Sequence, residues 1–120
     1  MAWQFNGTEA VFVQIARRLR GEILGGKYQP DEQIPSVRQL ALEAAVNPNT
    51  MQKALIYLEE EGLLYTRGTM GRFVTTDKTV LEEARKALCR ETVRGFLNDA
   101  HALGISTEEL IELIKEEDTQ

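Results

Sequence analysis

Apolar residues recur every three or four positions along the first half of the chain, and this spacing predicts three amphipathic helices. The first extends over about 11–25, the second begins at Ser36 and the third begins at Asn47. Two short strands are predicted after them, at 63–67 and 71–75, with a glycine-containing turn between them. We therefore expect a mainly α fold with a small β-hairpin.

Polar residues mark where the second and third helices begin. Ser36 precedes Gln39 by three positions, the spacing of a capping box, in which each side chain accepts a hydrogen bond from the other residue's backbone N–H. Asn47 is a favoured N-cap, and Pro48 would occupy the first helical position, where its missing N–H costs nothing. Helix, turn, helix and hairpin in this order are the layout of a winged helix-turn-helix DNA-binding domain.

A polar segment at 76–79 follows, so we expect a DNA-binding domain over 1–76 and a helical dimerisation tail over 77–120. The tail is predicted to hold a long helix over about 80–103 and a last helix, for which Ser106 and Glu109 predict a second capping box. One face of the long helix is apolar, and the chain has no other domain to cover it. The residues expected to meet a second copy on this face are Leu88, Val93, Phe96, Leu97, Ala100 and Leu103.

The net charge of −5 is unevenly distributed. Residues 1–76 hold eight Lys/Arg and eight Asp/Glu and are neutral, whereas residues 77–120 hold six and eleven, which gives the whole −5. Proteins meet phosphates through local patches rather than through net charge, so the acidic tail does not exclude DNA binding. The single cysteine, Cys89, and the lack of an apolar run long enough to span a membrane lead us to expect a cytoplasmic protein.

The third helix offers short polar side chains at its start, and such side chains can reach base edges or phosphates in the major groove. The alternative to DNA contact is a purely structural role, in which Asn47 caps the helix and the other polar residues form a solvated face. Arg38 lies at the second position of the preceding helix, where the macrodipole disfavours a cation. It is expected to contact DNA, or else to pair with Glu32 or Glu43.

The sequence contains few of the residue patterns that are typical of catalytic sites. His101 and Cys89 have no metal-ligand spacing, and no phosphate-binding glycine loop or nucleophile motif occurs. The acidic run 59–61 is expected to be solvated at a helix end. We therefore expect neither an enzyme nor a cofactor.

Four segments resemble the GntR family of bacterial transcriptional regulators, and the resemblance extends over about 11–74. The segments are 13–15, 35–41, 46–50 and 58–63, which read VQI, PSVRQLA, VNPNT and LEEEGL. The resemblance implies a winged helix that binds a palindromic operator as a homodimer, through Arg38, the start of the third helix and the hairpin, or wing. The residues expected to contact DNA are Ser36, Arg38, Asn47, Pro48, Asn49, Thr50, Gln52, Lys53, Arg67, Gly71 and Arg72.

The short tail of about 44 residues is similar to that of the YtrA subfamily, whose helical tail mainly dimerises. The wing departs from the family pattern Arg-Arg-Gly-x-Gly-Thr-Phe-Val. Here Gly68 takes the position of the second Arg and Arg72 that of Thr. Either Arg67 or Arg72 could enter a narrow minor groove, or both could be solvated hairpin residues.

The sequence thus predicts a homodimeric, sequence-specific regulator of transcription, and a repressor rather than an activator. Two alternatives stay open. The winged helix could serve protein contacts only, or the protein could be a sensor with a small ligand among the C-terminal helices. For the sensor, we expect the tail to offer little room for a pocket of usual size.

Overall fold

The computed structural model describes residues 2–119, and its helices and strands within that range follow the predicted order. They are α1 (Val11–Leu24), α2 (Val37–Ala44), α3 (Pro48–Glu60), β1 (Leu64–Arg67), β2 (Gly71–Val74), α4 (Lys78–Ala102) and α5 (Thr107–Asp118). The mainly α class with one antiparallel hairpin is confirmed. No helix in the described range is long and apolar enough to cross a membrane.

The predicted starts of α2 and α3 are confirmed by their caps. Ser36 Oγ accepts from the Gln39 backbone N–H at 3.2 Å, and the Ser36 N–H donates to Gln39 Oε1 at 2.9 Å. Asn47 Oδ1 accepts from the Asn49 N–H at 2.7 Å, and Pro48 is the first residue of α3. Between the helices, Ala45 adopts the left-handed conformation, with φ +59°. The two caps and the left-handed residue together set the direction in which α3 leaves the turn.

The helical termini in the tail differ from the prediction in two places. The helix α4 begins two residues earlier than the expected start near 80, because Asp77 Oδ1 accepts from the N–H groups of Thr79 and Val80 at 3.0 and 3.2 Å. At α5 only half of the expected capping box forms. Ser106 Oγ accepts from the Glu109 N–H at 3.1 Å, and the return bond is missing among the described contacts.

The core of the first half lies where α1, α2 and α3 pack together and against the hairpin. Its largest fully buried side chains are Ile15, Leu19, Leu40, Met51, Leu55, Leu58, Leu63 and Val74. Each such side chain contributes roughly 1.5–3 kcal/mol by leaving water. The N-terminal segment adds Trp3, which is 8% exposed and lies beneath the Arg18 guanidinium, 4.1 Å from the ring centre. This core fixes α3 relative to the wing.

A third short segment extends the hairpin. The strands pair Thr66 with Arg72, and Gln33 forms an isolated bridge to Phe73 on the other edge of β2. The Ile34 N–H donates to the Arg72 carbonyl at 3.0 Å, and the Val74 N–H donates to Glu32 at 2.9 Å. The segment at 33–34 therefore adds one bridge to β2 and holds the base of the wing beside the start of α2.

Two compact units divide between Arg85 and Lys86, inside α4. The first contains α1–α3 and the hairpin, and the second contains the rest of α4 with α5. In the second unit the buried apolar side chains are Ala100 and Leu110. The domain boundary that we place after residue 76 stays a prediction.

Candidate nucleic-acid interface

The exposed side of α3 carries the polar residues that the sequence singles out. Asn47 is exposed and caps the helix, as the purely structural interpretation requires. Asn49, Gln52 and Lys53 are exposed, and Thr50 is half-buried. Pro48, also exposed, opens the helix. The start of α3 thus presents polar side chains whose amide and hydroxyl groups donate no hydrogen bond within residues 2–119.

Arg38 is exposed in the first turn of α2. Its side chain makes no hydrogen bond, ion pair or ring contact with any of residues 2–119, so the alternative pairing with Glu32 or Glu43 does not form. A guanidinium with its five donors free is a ready phosphate or base ligand. The cost of placing a cation near a helix start is not offset by any neighbour in the described chain.

A cleft of about 320 Å³ connects the start of α2 to the wing. Its lining residues are Pro35, Ser36, Val37, Arg38, Leu55, Gly71 and Arg72. Four residues predicted from separate parts of the sequence, Ser36, Arg38, Gly71 and Arg72, therefore line one surface feature. Ser36 itself is occupied by its capping box.

The wing turn is shaped by Gly71, whose φ is +123°. The Gln33 side chain crosses from the neighbouring segment, and its amide donates to the Met70 carbonyl. A Cβ at position 71 would lie 2.9 Å from Gln33 Nε2. The backbone conformation favours glycine here, and a larger residue would also displace the Gln33 amide.

Arg72 is turned toward α3 and is only 15% exposed. Its Nε donates to the Glu59 carboxylate, and its Nη1 donates to Gln52 Oε1 at 3.2 Å. Thr66, the cross-strand neighbour of Arg72, donates to the other oxygen of Glu59 at 3.1 Å. Glu59 thus ties both strands of the wing to α3.

Arg67 ends β1 beside the wing turn, opposite Gly71, with its side chain 42% exposed. Its Nη2 donates to the Tyr65 hydroxyl at 2.5 Å and to Asp31 Oδ1 at 2.7 Å, and its guanidinium lies 4.1 Å from the centre of the Phe73 ring. The hydrogen bond to Tyr65 is the main cause that raises the pKa of Arg67, and the Asp31 carboxylate makes a smaller contribution in the same direction. Arg67 is therefore a fixed cation on the wing.

Lys53 lies over an aromatic pair. Its Nζ is 4.2 Å from the centre of the Phe12 ring, and Phe12 packs edge-on to Tyr57 with the centroids 6.1 Å apart. The ring attracts the ammonium electrostatically and leaves its N–H groups on the far side free. This geometry suits a phosphate oxygen.

Sequence reasoning missed Glu59, and the expectation that the 59–61 run is solvated is wrong for Glu59, which is half-buried. Glu59 binds Arg72, and Glu61 forms a two-point ion pair with Arg20. One signal was available: a charged residue at position 72, where the family has Thr, needs a partner when it is only partly exposed.

The predicted interface residues of the tail differ in burial. Phe96, Val93 and Leu103 are 50%, 55% and 80% exposed, whereas Ala100 is buried and Leu88 and Leu97 are half-buried. Between α4 and α5 an open groove of about 670 Å³ is lined by Phe96, Asp99, Ala100, Leu103, Ile105, Leu110, Leu113, Ile114, Glu117 and Asp118. The expectation that the tail has little room for a pocket is therefore wrong, because two amphipathic helices leave a wide apolar gap.

Comparison with known proteins places these features in context. Residues 12–74 match the family model described as bacterial regulatory proteins, gntR family. The HTH-type transcriptional repressor YtrA of Bacillus subtilis is 36% identical over 107 residues, covering 88% of this chain and 82% of that protein. The structure of a GntR family transcriptional regulator from Listeria monocytogenes has a TM-score of 0.82 and 31% identity, covering 93% of this chain and 98% of that chain.

A further structure is that of AraR(DBD) in complex with operator ORX1. It has a TM-score of 0.55 and 30% identity, and the match covers 60% of this chain and 93% of that chain. Since the match takes in nearly all of that DNA-bound domain, the likeness concerns a DNA-binding fold.

Proposed function

This chain belongs to the gntR family of bacterial regulatory proteins, and we propose that it is a YtrA-like transcriptional repressor that binds a palindromic operator as a homodimer. Its relatives are transcriptional regulators, and YtrA is a repressor by name. A repressor of this kind acts on chromosomal DNA, so we place it in the cytoplasm. The tail would pair two copies, and the winged helices would contact the operator.

The observation that carries the proposal is Arg38, an exposed arginine without a partner in the described chain, at a cleft that also reaches Gly71 and Arg72 of the wing. The polar start of α3 follows α2 after the short turn at 45–47. An α-helix fits the major groove of B-DNA, and an arginine beside it can reach a phosphate or a guanine edge. The likeness to AraR(DBD), which is in complex with an operator, supports DNA binding by this fold.

The apolar side chains that the second unit leaves exposed support the proposed dimer. A two-fold dimer requires an operator with two-fold symmetry, and its half-sites would be centred roughly 34 Å apart or a multiple of this distance. The net charge of −5 comes from the tail, and the DNA-binding part over 1–76 is neutral.

The experiment is selection of the full chain against a pool of random duplexes, followed by titration of the recovered sequence and a scrambled duplex at several salt concentrations. We expect an inverted repeat, and affinity for it at least about a thousandfold above the scrambled duplex. Recovery of no common sequence, or equal affinity for both duplexes, would favour a winged helix used for protein contacts alone.

A sensor function is a second candidate because of the groove in the second unit. Its volume of about 670 Å³ lies within the roughly 300–1,000 Å³ usual for small-molecule sites. Its floor is apolar, and Asp99, Glu117 and Asp118 supply acidic groups, so an apolar organic cation is the complementary ligand. Such ligands should raise the midpoint of thermal unfolding, whereas Ile114→Arg should abolish the rise.

A further inference from the structure

The wing contacts the exposed side chain of Gln52 on α3, at the centre of the surface proposed to meet the major groove. Arg72 Nη1 donates to Gln52 Oε1 at 3.2 Å. A guanidinium has donors only, so this contact fixes which end of the Gln52 amide faces the wing. The carbonyl points to Arg72, and the NH₂ group lies on the other side.

We propose that Arg72 is a positioning residue that makes Gln52 contact the operator as a hydrogen-bond donor, and so determines which bases are accepted. The inference rests on the proposed function and concerns the specificity of that same site. Arg72 itself need not touch DNA. It acts through the orientation of the Gln52 amide.

Arg72 is well fixed for this role. Its Nε donates to Glu59, whose second oxygen accepts from Thr66 at 3.1 Å. Thr66 and Arg72 are direct partners across the hairpin, so one carboxylate holds both. With its side chain 15% exposed, Arg72 has little freedom to turn away from α3.

The hydrogen-bonding groups of the bases determine which base pairs the oriented Gln52 amide prefers. A free glutamine pairs with adenine through two bonds, because adenine offers an acceptor N7 beside a donor N6 group. The Gln52 carbonyl oxygen has two lone pairs, but its contact with Arg72 turns it toward the wing and leaves the NH₂ group on the opposite side, where that group requires acceptors. Guanine offers O6 and N7, and thymine offers O4, whereas cytosine offers only a donor. We expect guanine or thymine opposite Gln52, with adenine below them and cytosine last.

The experiment measures affinity of the full chain for operators that carry each of the four base pairs at every half-site position. Gln52→Ala identifies the position that Gln52 contacts, because its preference disappears there. Arg72→Thr, which installs the residue usual in the family, should raise affinity for adenine relative to guanine about fivefold or more at that position, since a bidentate contact is worth roughly 1–3 kcal/mol. In the double variant Arg72→Thr/Gln52→Ala the effect should vanish.

Two further variants sharpen the result. Arg67→Thr removes the other wing arginine, which does not contact Gln52 in the described structure. Overall affinity should therefore change, while the order of base preference at this position stays the same. Gln52→Glu keeps a partner for Arg72 and removes the donor, so the preference should shift toward cytosine. If Arg72→Thr is poorly folded by circular dichroism, Arg72→Lys replaces it, because one ammonium cannot reproduce the guanidinium's separate contacts to Glu59 and Gln52.

Adenine preferred by the parent protein, or an unchanged base order in Arg72→Thr or its replacement Arg72→Lys, would overturn the inference and leave the proposed function intact. Failure of the parent to prefer any sequence would overturn the proposed function as well. The two failures are thus distinguishable in one set of titrations.

Discussion

Arg20 and Glu61, separated by 41 positions in the chain, form a two-point ion pair. Arg20 Nε lies 2.9 Å from Glu61 Oε1, and Arg20 Nη2 lies 2.8 Å from Oε2. The pair joins α1 to the residue that caps the end of α3. Its side chains are 22% and 33% exposed, so it is more sheltered than an ordinary surface pair.

Replacing Arg20 with Met should therefore destabilise the first unit. Parallel two-point geometry is among the stronger forms of ion pair, and we expect the free energy of unfolding to fall by about 1 kcal/mol. Chemical denaturation measures it. Arg38→Met is the matched control, since Arg38 has no partner in the described chain. Equal stabilities for the two variants would show that the Arg20 pair contributes nothing.

The features that could be predicted from sequence are the local ones. Ser36 with Gln39 and Asn47 with Pro48 determine helix starts through contacts within three residues, and such signals are visible in the chain itself. The fold class followed from these caps and from the apolar periodicity. The missed cap at Asp77 was also local, but apolar spacing alone does not locate a helix start.

The contacts that escaped prediction depend on tertiary packing. Arg72 meets Glu59 because the hairpin folds back onto α3, and no local pattern specifies that approach. Likewise, the groove between α4 and α5 depends on how the two helices pack against each other. Apolar periodicity predicts each helix by itself and does not predict their packing. Sequence therefore located the candidate surface and left the orientation of its side chains undetermined.

Arg38→Ala should weaken operator binding about tenfold or more. The exposed guanidinium has no partner to lose within the described chain, so its removal should leave stability nearly unchanged while deleting a charge-assisted contact. Fluorescence anisotropy with the selected operator measures the loss, and the exposed tail residue Lys115, changed to Ala, is the control. Parental affinity in Arg38→Ala would contradict the proposed docking.

Lys53→Ala should weaken all duplexes by a similar factor. The ammonium above the Phe12 ring is placed for a phosphate, and a phosphate contact carries no sequence information. The slope of log affinity against log salt should become shallower by about one. Titrations on the operator and the scrambled duplex provide both quantities. A loss confined to operators with one particular base pair would instead assign Lys53 to a base edge.

Changing Phe96 and Leu97 together to Glu should dissociate the proposed dimer. Phe96 is 50% exposed and Leu97 half-buried, and charges in an interface between copies would lose their water without gaining a partner. Sedimentation velocity distinguishes monomer from dimer. Ala87→Glu with Asn98→Glu adds the same charge at exposed positions away from the apolar face. A dimer that survives in the first variant would exclude this face.

Tyr28 should make the first unit sensitive to alkali. Burial raises the pKa of its hydroxyl above the ordinary value of 10.0, against the smaller opposing effect of Lys27. The neutral form is thus favoured by folding, so its stability contribution is complete below the unfolded-state pKa and is lost as pH rises through the folded-state pKa. Unfolding free energies from about pH 9 to 11 should fall more steeply in the parent than in Tyr28→Phe. Parallel curves would refute the shift.

Cys89, the single cysteine of the sequence, is exposed on α4. A thiol-reactive probe would therefore attach at one known place per chain without any mutation. Cys89 lies one helical turn before Val93, on the face proposed to pair two copies, so the rate of labelling should fall when the copies associate. The same exposure makes a reducing agent necessary during purification, because two such thiols could otherwise link copies in a manner unrelated to their natural association.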